Sequence, residues 1–219
     1  MQLNHADSVI SAITDAIRRV NILDPDSEQT RMVLQQFEAL AYSSYTARKP
    51  QITLLPSLYQ FNFIRALLAN TDVLGLSSDQ MSDDAISPFN SVSPEQIPCL
   101  ATRFSRLPTS LRPTPLQCTT EHHPWIDLLP HPRLRENLFR RGFDSFDEDE
   151  FCHALRGAVP GYEPGVLVWR APWDPSGWEI TETFIKSWGW SLEGCWDLLK
   201  STNEWRERRG ERPLLHKLQ

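Results

Sequence analysis

Several features that mark large classes of proteins are missing from this sequence of 219 residues. No run approaches the roughly 18 consecutive apolar side chains of a membrane-spanning helix. The first six residues are mostly polar and lack the basic and apolar regions of a secretion signal. The formal net charge is −6, the wrong sign for binding nucleic-acid phosphates. We therefore expect a cytoplasmic protein that neither enters a membrane nor binds nucleic acid directly.

Sequence motifs for metals and common cofactors are also missing. The four cysteines, at positions 99, 118, 152 and 195, form no C-x-x-C pair, and no two histidines have H-x-H or H-x-x-x-H spacing. The sequence has no glycine-rich phosphate loop, no dinucleotide fingerprint and no G-x-S-x-G turn. We expect reduced thiols, no metal and no cofactor.

Tryptophan and proline, in contrast, are abundant. Seven of the eight tryptophans lie after residue 160, and many of the 17 prolines lie between Pro88 and Pro132. The chain thus has an N-terminal part with few prolines, a Pro-rich middle and a Trp-rich C-terminal part. Such a dense series of prolines disfavours long helices, so we predict that residues 77–132 are irregular, with short helical turns such as residues 94–100.

Hydrophobic periodicity predicts helices on both sides of the Pro-rich segment. Asp7-Ser8 resembles a helix cap before the first apolar stripe, a second helix follows Pro25, and a third runs from Pro56 to Gly75. After the middle segment we predict further helices over 133–141, after capping boxes at 145–148 and 176–179, and from Ser191 to about Arg209, with a β-prone run at 166–169. The fold class is mainly α, a helical bundle with a long Pro-rich irregular segment. We treat residues 1–219 as a single domain, with N-terminal helices over 1–50.

Three sequence blocks resemble a known family. They are RPTPLQ, HHPWID and PRLREN (within 112–137), WRAPWDPSGWE (169–179), and STNEWR followed by RGE (201–211). In this order they resemble the fungal domain of unknown function that follows the basic leucine zipper in many fungal transcription factors, over residues 55–215. The resemblance implies a fungal source and a role near secondary metabolism, but no particular reaction. The basic helix and the leucine heptads of those factors are missing here, so we expect a free-standing domain.

The most suggestive cluster for chemistry is His122, His123 and Asp127 around Trp125. Two imidazoles and a carboxylate within six residues supply the groups of acid–base catalysis, and Trp125 offers an apolar wall. The alternative is that the histidines bond to loop backbone while Trp125 anchors the loop on the core. Adjacent histidines point in different directions in extended chain, which disfavours a shared metal.

Further candidates come from the Trp-rich part. Trp169 and Trp173 flank a proline in a loop and fit the wall of an apolar pocket, and Glu179 is the fourth candidate for catalysis. We add Trp178, Asn203 and Arg206 as ligand contacts. The alternative for each tryptophan is a place in the core. For the basic cluster around Arg206, the alternative to anion binding is a solvated helix end.

Two hypotheses of function remain open at the sequence level. The first is a cofactor-independent cyclase or isomerase that acts on an apolar natural-product intermediate and relies on positioning and acid–base groups. The second is a non-enzymatic regulatory module, cytoplasmic or nuclear, that binds a ligand or a protein but not DNA. The partners that we expect are an apolar small molecule and, as an allowed assembly, a second copy of the chain in a homodimer.

Overall fold

The computed structural model describes residues 5–47, 54–157 and 164–214, and within them the fold is mainly α, as predicted. The α-helices are α1 (His5–Arg18), α2 (Glu28–Thr46), α3 (Leu55–Leu74), α4 (Leu100–Arg103), α5 (Pro115–Thr119), α6 (Pro132–Arg141), α7 (Glu148–Arg156), α8 (Glu182–Trp188) and α9 (Trp196–Arg208). Two short strands, β1 (Val166–Val168) and β2 (Trp178–Ile180), pair as an antiparallel hairpin.

Local sequence signals account for the ends of the longer helices. The Ser27 hydroxyl oxygen accepts a hydrogen bond from the Thr30 N–H at the start of α2. Pro56 lies in the first turn of α3, where the missing N–H has no helical partner to lose. Gly75 ends α3 with φ 69°, a left-handed conformation that glycine adopts without steric cost. The predicted extent of the third helix is thus confirmed.

Two predicted helix starts are wrong. Helix α1 already begins at His5, so Asp7 and Ser8 lie inside it, since a capping residue does not stop a helix from extending by another turn. At the start of α7 the capping side chain is that of Asp147. Ser145 lies too early to cap α7, since it ends the 3-10 turn Phe143–Ser145, and its hydroxyl donates to backbone carbonyls of that region.

The sequence predicts a helix that starts at residues 176–179, but the structure has a strand there and the helix begins later. Residues 178–180 form β2 and pair with β1, which was expected from its β-prone sequence. The turn before β2 is capped by Asp174, not by Ser176. Helix α8 begins only at Glu182, after Thr181 has capped it.

Helix α9 covers the hairpin from one side. It begins at Trp196 and not at Ser191, because residues 189–192 form a 3-10 turn. The Thr202 hydroxyl oxygen accepts from the N–H of Ile180 over 3.0 Å, which ties α9 to β2. The other side of the hairpin contacts α3.

The main core of the described residues is one cluster of apolar side chains that extends from Ile17 in α1 to Leu198 in α9. Helix α3 provides its centre, where Phe63, Ile64 and Leu67 are completely buried. Burial of each such side chain contributes about 1.5–3 kcal/mol to the free energy of unfolding. Among the described residues, no helix combines the length and hydrophobicity that crossing a bilayer requires.

The Pro-rich segment folds as a series of short turns, as predicted. Its 3-10 turns and the short helices α4 and α5 alternate between residues 78 and 128. A small apolar cluster of its own stabilises it, made of Phe89, Val92, Leu100 and Cys118. The segment therefore wraps the helical core as an ordered layer.

Candidate functional site

The residues predicted as catalytic lie in two different surroundings. His122 and Asp127 form a pair, with 2.8 Å between Nε2 and Oδ1, and both side chains have 0% exposure. The second ring nitrogen, Nδ1, lies 2.6 Å from the carbonyl oxygen of Thr120. A neutral imidazole has one N–H donor, whereas both nitrogens of His122 face oxygen acceptors. Both ring nitrogens therefore have an oxygen partner inside the protein, and neither faces solvent.

The Asp127 carboxylate is the centre of a larger buried network. It accepts hydrogen bonds from the Ser87 hydroxyl over 2.6 Å and from the side-chain amide of Gln117. The amide oxygen of Gln117 accepts in turn from Nε of Arg135 over 3.1 Å. Arg135 is completely buried, and its guanidinium donates to carbonyls of the Pro-rich segment. The network ties this segment to α6, and all its members have partners.

Burial sets the electrostatics of the network. It lowers the pKa of Arg135 to about 10, and the nearby carboxylates of Asp127 and Glu136 act in the opposite direction. The guanidinium therefore stays charged at neutral pH and balances the Asp127 carboxylate. Breaking one partner of such a buried set leaves the other charge uncompensated.

His123 and Trp125 lie next to this network in sequence, but their side chains form hydrogen bonds with other segments. The His123 Nδ1 accepts from the N–H of Trp125 over 3.1 Å, and its Nε2 donates to the carbonyl of Ser82 over 2.8 Å. The Trp125 ring is buried against Phe151, and its indole N–H donates to Glu148 over 2.5 Å. Trp125 thus anchors the loop on the core.

A half-open cavity of about 530 Å³ lies between α3, the hairpin, α8 and the end of α9. Part of its lining is apolar, and part carries charged groups. Its lining comprises Leu55, Pro56, Tyr59, Pro164, Leu167, Glu179, Thr181, Glu182, Thr183, Lys186, Arg206, Arg209 and Glu211. Two predicted site residues, Glu179 and Arg206, both line this cavity. We call this space the arginine cavity.

Glu179 is the buried residue among the charged side chains of the lining. It is 2% exposed and accepts from Nη1 of Arg209 over 2.8 Å and from the indole N–H of Trp169 over 2.8 Å. The Trp169 ring stacks on Trp205, with 5.4 Å between centroids, and Arg209 lies over the Trp169 ring. Hydrogen bonds to Glu179 and then to Glu211 raise the pKa of Arg209, so this guanidinium stays protonated.

Glu211 bridges the two arginines at the rim. Its Oε2 lies 3.0 Å from Nη1 of Arg206, and its Oε1 lies 2.8 Å from Nε of Arg209. The hydrogen bond from Arg209 is the main cause of a lowered pKa at Glu211. A carboxylate between two guanidinium groups at the mouth of a partly apolar cavity is an arrangement that suits a carboxylate-bearing ligand.

The remaining predicted ligand contacts are placed elsewhere. Trp178 is 1% exposed and packs on Phe63, with its indole N–H donating to the carbonyl of Pro172. Trp173 is 41% exposed on another face. The amide oxygen of Asn203 accepts from the N–H of Leu214, which holds the C-terminal segment on α9.

Sequence reasoning missed several lining residues of the arginine cavity. Tyr59 and Leu167 were read only as parts of a helix and a strand, and no signal distinguished them. Arg209 belongs to the basic cluster that the sequence suggests for anion binding. The carboxylate of Glu211, two residues later, was the available signal that Arg209 has a partner within the chain. Within the described residues, no three His, Cys, Asp or Glu side chains lie close enough to hold a metal ion.

Comparison with known proteins places a domain in this chain. Residues 91–199 match the family described as a domain of unknown function, DUF3425. The matched segment includes most of the His122–Asp127 network but neither Tyr59 nor Arg209. No curated protein and no solved structure gives a significant match.

Proposed function

We propose that this chain is a non-enzymatic module that binds a small molecule with an apolar body and a carboxylate in the arginine cavity. The observation that carries the proposal is the position of Glu211, whose carboxylate bridges Arg206 and Arg209 at the cavity mouth. In this proposal Glu211 occupies the place of the ligand carboxylate and is displaced when the ligand enters.

The apolar part of the lining supports an apolar ligand body. The apolar lining residues are Leu55, Pro56, Tyr59 and Leu167, the last of which is the cross-strand neighbour of Glu179. Leu55 is 40% exposed, although an aliphatic side chain gains about 1.5–3 kcal/mol when it is fully buried. A cavity of about 530 Å³ lies within the range of small-molecule sites. An apolar chain against this part of the lining would add hydrophobic binding energy to the contact between a carboxylate and the arginines.

The charge balance of the cavity supports binding without turnover. Its three cationic side chains face three carboxylates, and each cation has a carboxylate partner, including Lys186 with Glu182 at 2.9 Å. A general acid or base needs a group free to exchange a proton with the substrate. The hypothesis of a cyclase or isomerase would require His122 and Asp127 to be uncovered, because both have 0% exposure.

The sequence resemblance supports a biological setting for this binding. The likeness to the domain that follows the zipper of fungal transcription factors suggests that the module senses an intermediate of fungal secondary metabolism. In this proposal it acts in the cytoplasm or nucleus, does not contact DNA, and affects transcription or flux through its ligand-bound state.

A displacement assay tests the proposal. The full chain is loaded with the fluorescent anion 8-anilino-1-naphthalenesulfonate, and decanoate or decanol is added as competitor. We expect decanoate to displace the dye at lower concentration than decanol. Glu211→Gln should raise the affinity for decanoate about tenfold, equal to about 1.4 kcal/mol, because the competing internal carboxylate is gone.

Arg206→Gln should lower the affinity for decanoate, since it removes one of the two guanidinium groups. The matched control for Glu211→Gln is Glu207→Gln, which makes the same charge change on α9 outside the cavity and should leave affinity unchanged. Equal displacement by decanoate and decanol, or a Glu211→Gln variant that behaves like the control, would refute the proposal.

A further inference from the structure

Two of the tryptophans are placed unlike the rest. Trp173 is 41% exposed and Trp196 is 61% exposed, whereas the other six are buried or half-buried. The indole N–H groups of Trp125, Trp169, Trp178 and Trp205 all donate hydrogen bonds. In the described part of the chain, the N–H groups of Trp173 and Trp196 have no acceptor, and neither ring contacts another aromatic ring. Core packing therefore does not account for these two residues.

The two exposed rings lie at the ends of one surface depression. Trp196 lines a cavity of about 260 Å³ and Trp173 lines a second, open one of about 500 Å³. The two cavities share Pro132, Pro175 and Asp197, so they form one continuous depression. We call it the tryptophan trough. It has no lining residue in common with the arginine cavity, and it lies entirely within residues 91–199.

The lining of the trough has few backbone N–H donors, and the two indoles supply side-chain donors. Prolines at positions 108, 130, 132 and 175 form much of the wall, and proline has no backbone N–H. The two indoles offer N–H donors and flat apolar faces, and the indole ring contains no hydrogen-bond acceptor. Such a wall suits a ligand with apolar rings and with carbonyl acceptors that can face the two indoles.

A proline-rich peptide has this chemistry. In the polyproline II conformation it has no internal hydrogen bonds, its carbonyls point outward, and its prolines have no N–H to satisfy. It is also ordered before binding, so little conformational entropy is lost. Exposed tryptophans that flank a shallow proline-lined depression can contact its rings and donate to its carbonyls.

The charge of the trough indicates what flanks the prolines. Asp197 is exposed and has no ion pair among the described residues. Asp174 caps the turn before β2 and lies 4.0 Å from Arg170. Arg133, at the other end, donates to the carbonyl of Glu193 and lies 3.8 Å from Glu136. Glu136 is shared with Arg140, from which it lies 2.7 Å away. The charge that complements a lysine or arginine is therefore the single exposed carboxylate of Asp197, beside Trp196.

We propose that the tryptophan trough binds a proline-rich segment of a partner protein, with a basic residue of that segment facing Asp197. The trough is a separate surface from the arginine cavity, because the two share no lining residue. The module would then have one site for a small molecule and a second for a protein.

Fluorescence polarisation with the full chain tests this proposal. Three labelled ten-residue peptides are compared: polyproline ending in lysine, polyproline ending in glutamate, and a glycine-serine peptide ending in lysine. We expect the first to bind most tightly. Trp196→Ala and Trp173→Ala should each weaken its binding about tenfold, the effect of losing roughly 1.4 kcal/mol at a central aromatic contact. Asp197→Asn should abolish the preference for lysine over glutamate.

Controls separate this site from other causes. Tyr45→Ala removes an aromatic ring that is 80% exposed on α2, and it should leave peptide binding unchanged. Circular dichroism and thermal melting check that each variant is folded. Equal binding of all three peptides, no binding at millimolar peptide, or full affinity in both tryptophan variants would overturn the proposal. Self-association that Trp196→Ala removes, measured by ultracentrifugation without peptide binding, would assign the trough to a second copy of the chain.

Discussion

Replacing His131 with phenylalanine is expected to make the fold less sensitive to acid. His131 is 6% exposed at the start of α6, its ring lies edge-on to Trp178, and its Nε2 has no hydrogen-bond partner. Burial, and secondarily the positive charge of Arg135, lowers the pKa of His131 from 6.5 to about 3. The native protein therefore keeps this ring neutral at a pH at which the unfolded chain protonates it.

The sign follows from proton binding. Between pH 6.5 and about 3 the unfolded chain binds the proton and the native protein does not, so stability is lost as pH falls through this window. Between pH 7 and pH 5 this one group should lower the free energy of unfolding by about 2 kcal/mol. Phenylalanine removes the titration, keeps the ring contact with Trp178, and loses no side-chain hydrogen bond.

Urea unfolding at pH 7, 6 and 5, followed by circular dichroism, measures the effect. The difference in free energy of unfolding between wild type and His131→Phe should shift by about 2 kcal/mol in favour of the variant on going from pH 7 to pH 5. His153→Gln, which removes an exposed histidine of α7, is the control and should show a much smaller shift. Parallel pH profiles for wild type and His131→Phe would refute the reasoning.

Two further outcomes concern the buried network and the thiols. Asp127→Asn should lower the free energy of unfolding by about 3–5 kcal/mol, because one carboxylate oxygen that accepts from buried donors becomes a donor itself; a loss below 1 kcal/mol in urea unfolding would contradict the structural role of the network. Of the four cysteines only Cys99 is exposed, and burial raises the pKa of the others to about 11 or 12. Ellman's reagent at pH 8 should therefore titrate one thiol rapidly in the native protein and four in denaturant, and rapid reaction of two or more native thiols would count against this packing.

Helices could be predicted where their signals are local. The apolar stripe, the proline in the first turn and Gly75 specify α3 within a window of 20 residues, and the helix in the structure, Leu55–Leu74, differs from the predicted bounds by one residue at each end. The short turns of the Pro-rich segment follow equally from backbone chemistry. Both kinds of signal act over a few residues, so neighbouring elements do not alter them.

The hairpin shows where local signals are ambiguous. The pattern Ser-x-x-Glu at 176–179 is compatible with a helix start, but residues 178–180 bond to β1 ten or more residues away. Gly177 also lies so close to Arg170 that an added Cβ would be 2.6 Å from that side chain. Strand pairing at this distance in sequence, and the cover from α9, override the capping pattern.

The candidate sites divide in the same way. The sequence by itself determined the mainly α fold, the turns of the middle segment and the closeness of His122 to Asp127, since residues five apart remain neighbours in any compact turn. Only the tertiary structure decided that this pair is buried under Ser87 and Gln117 and that Glu179 meets Arg209 from the far end of α9. Exposure and long-range pairing depend on how separate elements pack, and the spacing of residues along the chain contains no direct record of that packing.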